Sequence, residues 1–147
     1  MARPGYGWCN GRMGGTEGTE GTEGTDSTGT DDLEQALHAA RALILADLEA
    51  GDVARADVVS LVEESVAHRR WWVGQWPEGV AYVDGLVAQD VQDALLERYG
   101  RWPVCPVCIG ADPHALDVEP ELGESPHWVC GRTSTVVARV GSLGERL

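Results

Sequence analysis

Cys105, Cys108 and Cys130, together with His114 and His127, all fall in one stretch of the chain. It reads W-P-V-C-P-V-C from Trp102, then Pro113-His114, then H-W-V-C-G. Thiolate sulfur and imidazole nitrogen are the donors of a structural zinc site, which takes four of them in a tetrahedron. Cys105-Pro-Val-Cys108 offers two, provided the chain between them turns sharply; Pro106 suits that turn by fixing φ and giving up an N–H. Cys130 offers a third, and Gly131 behind it is expected to take the positive φ of a tight knuckle. On the residues alone the fourth donor stays open. His127 completes a CxxC, eighteen-residue gap, HxxC pattern close to zinc-site spacing. His114 follows Asp112-Pro113 in an expected loop and could close the same site.

Other chemistry fits the stretch less well. A redox CxxC opens a helix after a strand in a βαβ unit, whereas these cysteines follow a helix and Trp102-Pro103, with Pro106 between them. Buried inert thiols are the plainest alternative, because free cysteine is among the most buried residue types. A catalytic zinc needs three protein ligands and an open position. Cys105, Cys108 and Cys130 with water would meet that count, with Glu119, Glu121 or Glu124 as base. The zinc-deaminase pattern fails, since no H-x-E precedes Pro103-Val-Cys105-Pro-Val-Cys108.

The rest of the composition narrows the context. The chain has 147 residues and a net charge of −13, which suits one modest domain. It contains no lysine, and residues 103–147 carry three arginines against six acids. Nucleic-acid binding is therefore disfavoured, because affinity for phosphates comes mostly from Lys and Arg. No apolar run approaches the roughly 20 residues that span a bilayer, and the first 25 residues show no apolar signal-peptide core. A cytoplasmic protein is the expectation, and there paired cysteines point to metal or redox chemistry.

These ligands need elements to hold them. Residues 1–30 read as a disordered tail, since Thr-Glu-Gly repeats bury nothing. Translation starting at Met13 would remove Met1–Arg12, and with it the isolated Cys9. Residues 31–101 read as helical. Asp31-Asp32-Leu33-Glu34 offers a capping box, followed by a stripe of Leu33, Leu37, Ala40, Ile44 and Leu48, with Gly51 at the C′ position. Val58, Leu61, Val62 and Val66 face one way in a second helix that Gly74-Gln75-Trp76-Pro77 breaks. A third helix is expected over 84–99, with Leu86, Val87, Val91, Ala94 and Leu95 inward and Gly100 closing it. Residues 102–147 then form a zinc-ribbon-like module with β segments at His127–Cys130 and Thr133–Val140, turning at Gly131-Arg132. So small a ribbon cannot bury enough surface alone and must lean on the metal and the helices. The fold class is α+β.

Two histidines lie outside this module. His38 reads as a solvated or partly packed imidazole of the first helix. His68, with Arg69 and Arg70, falls at a helix end where cations are favoured. Trp71, Trp72 and Trp76 read first as core, because large aromatics dominate burial. An interface is the alternative reading, as Trp and Arg are enriched in binding hot spots.

The run from Asp90-Val-Gln-Asp-Ala-Leu through Trp102-Pro103, Cys105 and Cys108 resembles a group of small, mostly uncharacterised actinobacterial proteins. The likeness continues through His114-Ala-Leu116, Trp128-Val-Cys130 and Val137-Ala-Arg-Val-Gly-Ser-Leu143, about half of the chain. It implies His114 as the fourth ligand, since the position of His127 is not fixed in that pattern. The gap between Cys108 and His114 is longer than the pattern implies, which keeps His127 as the alternative. The expected function is a non-enzymatic protein with structural zinc that serves a protein partner as adaptor or regulator. A zinc- or thiol-dependent enzyme at Cys105-Pro-Val-Cys108 is the alternative.

Overall fold

The computed structural model describes residues 17–110 and 112–145, with side chains from residue 29 onward. The first sixteen residues of the expected tail, including Cys9 and Met13, lie outside the described residues. Residues from Gln35 onward make one unit and Met1–Glu34 another; the described part of the latter is helical from Glu17.

Helix α1 runs Glu17–Ala50. Asp31 therefore lies within a helix instead of capping one, a correction to the expected start. No proline interrupts residues 17–32, and each residue added to a formed helix gains a hydrogen bond without a new nucleus. The burying part of α1 begins later: Gly29 to Asp32 are exposed, while Leu37, Ala40, Ile44 and Leu48 are buried. At its C-terminus the left-handed residue is Asp52 (φ 59°), one place beyond the expected Gly51. Asp tolerates that conformation better than most non-glycine residues.

Helices α2 (Ala56–Gln75) and α3 (Val83–Arg98) are joined by a 3-10 helix, Pro77–Tyr82. Val58, Leu61, Val62 and Val66 of α2 are buried, as are Val87, Val91 and Leu95 of α3. Gly100 (φ 104°) ends α3, its N–H donating to the Leu95 carbonyl. Charge reinforces the packing. Arg41 of α1 pairs with Glu63 of α2 at 2.7 Å, and Arg69 of α2 donates two hydrogen bonds to Asp90 of α3, which also accepts from Ser65.

A three-stranded antiparallel sheet follows: β1 (Asp117–Glu119), β2 (His127–Val129) and β3 (Val136–Arg139), in that order. The expected hairpin is β2–β3, and β1 is an addition to it. Trp128 pairs with Val118 on one side and Ala138 on the other; its indole is fully buried and meets Trp102 edge-on at 5.4 Å. The helix α3 grips this module through Gln92, whose amide donates to the carbonyls of Trp102 and Leu116.

The expectation that Trp71, Trp72 and Trp76 are core is overturned. Trp71 is 64 % exposed, Trp76 is exposed and Trp72 half-buried. Trp72 packs edge-on against Trp76 at 4.9 Å, and the Arg69 guanidinium sits 5.1 Å from the Trp72 ring centre. The positions inward on α2 are taken by smaller aliphatics, which leaves the indoles beside the 3-10 turn.

The strongest tie between helices and sheet is Asp47, a fully buried carboxylate on the apolar stripe of α1. Its Oδ2 accepts from the Trp128 indole N–H at 2.8 Å and the Gly141 N–H at 2.6 Å, and Oδ1 accepts from the Leu143 N–H at 2.9 Å. Asp47→Ala strands these three donors, and each buried unpaired donor costs roughly 1–3 kcal/mol. The variant should therefore lose about 3–5 kcal/mol in chemical denaturation. Asp47→Asn keeps one acceptor oxygen and should lose less.

Candidate metal centre

Four donors converge in the module. The ligand atoms of Cys105, Cys108, His114 and Cys130 all lie within 4.8 Å of one another. Local backbone pairing explains the convergence. Val104 and Ala115 form an isolated antiparallel bridge, in which the Cys105 N–H donates to the His114 carbonyl and the Leu116 N–H to the Pro103 carbonyl. That bridge sets His114 beside the Cys105–Cys108 turn. Cys130 stands one residue beyond β2, at the mouth of the β2–β3 turn. There its N–H donates to the Thr135 carbonyl and its own carbonyl accepts from the Ser134 N–H.

The separations suit a metal ion. Donors held at zinc-type bond lengths in a tetrahedron stand roughly 3.5–3.8 Å apart. Cys108 Sγ and Cys130 Sγ are 3.6 Å apart, and Cys130 Sγ and His114 Nε2 are 3.8 Å apart. His114 Nδ1 lies 3.0 Å from the Ala115 carbonyl, which suits a protonated Nδ1 and leaves Nε2 as the lone-pair nitrogen facing the sulfurs. The Val107 N–H donates to Cys105 Sγ at 3.4 Å. The cluster could thus hold a metal ion, and it contains no carboxylate.

His127 is not among the four. β2 ends at Val129, its pairing with β3 is irregular between Trp128 and Val129, and Cys130 stands beyond it. His127 shares a face with Val129 and borders a shallow hollow with Glu119, Pro120 and Val136, while Trp128 is buried against the core. Glu119 and Arg139 stand directly across from His127 on the neighbouring strands. Glu119, Glu121 and Glu124 are all exposed.

Gly131 differs from its expected role. Positive φ in this turn belongs to Ser134 (φ 60°), and a Cβ at Gly131 would meet only the carboxylate end of the exposed Asp117 side chain, which can turn away.

The thiols polarise one another. Cys130 falls to about 6, first through the Thr133 hydroxyl hydrogen-bonded to its sulfur and further through the backbone N–H groups of Thr133 and Arg132. Cys108 is pushed up to about 11, chiefly because its hydrogen bond to Cys130 is lost if it ionises. Without a cation, the pair shares a proton that Cys108 holds.

Three helices carrying a small antiparallel sheet and a Cys3His cluster define an α+β protein with a candidate metal centre. The chain belongs to the DUF8819 family: the model of that domain of unknown function matches residues 33–140. The match includes Asp47, Trp128 and all four cluster residues. No curated protein and no solved structure matches the chain.

The thiol polarisation can be read directly. In metal-free protein, thiolate absorbance near 240 nm should show one step at about pH 6 and another near 11. An unfolded thiol ionises at about 8.5. The Cys130 thiolate therefore contributes stability fully above about 8.5 and loses it as pH falls through about 6. Thr133→Val should move the lower step upward.

Proposed function

We propose that this chain is a non-enzymatic zinc protein in which Cys105, Cys108, His114 and Cys130 hold one structural ion. The convergence of four donor atoms within 4.8 Å carries this reading. Zinc is the metal that best fits three thiolates and an imidazole. Four protein donors fill a tetrahedron and leave no position for water or substrate, which favours a structural over a catalytic ion. Three free thiols in one cluster suit a reducing compartment such as the cytoplasm. No described helix is long and apolar enough to cross a membrane.

The partner is a protein, and Trp71, Trp72 and Trp76 beside Arg69 and Arg70 form the surface we assign to it. Exposed Trp next to Arg has the composition of an interface hot spot. The role is that of an adaptor or regulator, with the zinc module bracing helices that present this surface.

Native mass spectrometry tests the metal. The wild type should carry one zinc ion, which His114→Ala loses or holds weakly and His127→Ala retains. Cys105→Ser and Cys130→Ser should lose the ion and destabilise the module. Zinc retained in both histidine variants would turn the reading toward three cysteines plus water, and so toward an enzyme.

A further inference from the structure

We propose that a second site, sharing no residue with the Cys3His cluster, binds a small apolar carboxylate. It is a cleft of about 350 Å³ between the α1–α2 turn, the end of α3 and the Trp102-Pro103-Val104 segment. That volume falls in the range of small-molecule sites, which pair an apolar lining with a few placed polar groups. Val53, Val58, Leu95, Trp102, Val104 and Leu143 supply the apolar lining.

Three groups give the cleft a preference for an anion. Trp102 is 93 % buried by its 7 % exposure, yet its indole N–H has no hydrogen-bond partner among the described residues. Its Nε1 stands beside Gly51, itself a lining residue of the cleft, 3.4 Å from where a Cβ on that glycine would be. A buried donor without an acceptor costs free energy that a ligand oxygen would restore. Arg101 borders the cleft, is exposed and makes no ion pair among the described residues. Arg55 borders it as well, its guanidinium 5.1 Å from the Tyr99 ring centre and 3.9 Å from Asp57. Asp47 is the acid in the wall, and both its oxygens are already occupied by Trp128, Gly141 and Leu143. Two arginines at one apolar cleft stand out in a chain of charge −13. The occupant that matches is an apolar body ending in a carboxylate, its oxygens on the Trp102 N–H and Arg101.

The test uses the full chain and two probes of like shape, sodium octanoate and 1-octanol, followed by ¹H–¹⁵N spectra of the assigned Trp102 indole. Octanoate should shift that resonance saturably and bind about tenfold tighter than octanol, the difference a charge-assisted hydrogen bond supplies. Arg101→Gln, at an exposed side chain, should remove most of that difference. Gly51→Val, which places methyl groups against Nε1, should abolish the shift. A Trp102 resonance unmoved by octanoate overturns the proposal. So does equal binding of octanoate and octanol, or octanoate binding unchanged in Arg101→Gln.

Discussion

A carboxylate without water must be satisfied by the protein, and Asp47 sets that demand for the whole unit from Gln35 onward. Its three donors come from β2 and from the segment after β3, so α1 and the sheet can close on each other in only one register. Apolar contacts alone tolerate sliding, because hydrophobic burial is non-directional. The bond from the Trp128 indole removes that freedom by fixing the largest side chain of the module on a single atom. Trp128 in turn packs on Trp102, at the base of the turn that carries Cys105 and Cys108.

A second set of polar ties runs from the helices to the same segment. Arg69 and Ser65 on α2 hold Asp90, and two residues along α3 the Gln92 amide holds the backbone on both sides of the Cys105–His114 loop. Asp90 and Gln92 thus have structural duties within the Asp-Val-Gln-Asp run. The metal cluster is set on a braced backbone, and a structural ion would lock three loops whose strands are only three or four residues long.

Much of this was legible in the residues. Apolar spacing of 3.6 identified Leu37, Ala40, Ile44 and Leu48, and the same rule found the inner faces of α2 and α3. The cluster was legible as a set, with His114 and His127 both open. Asp47 also left a signal, an acid three residues after Ile44 on the apolar stripe. What stayed hidden was non-local. A three-residue strand such as β1 carries too short a pattern to recognise, and its existence depends on pairing with β2. The exposure of Trp71 and Trp76 depends on how α2 meets the 3-10 turn, which no spacing within α2 records.

The spacing of the Asp47 partners along the chain bears on how the protein is made. Gly141 and Leu143 are 94 and 96 residues beyond it, close to the last described residue. During synthesis, α1 can form as soon as it is free, but its buried acid must stay hydrated until those two amides have been added. The full set of hydrogen bonds on Asp47 can therefore be made only after Leu143 has been translated. Contacts this distant in sequence also place the closing step late on the folding coordinate, because loop-closure entropy must be met before they contribute.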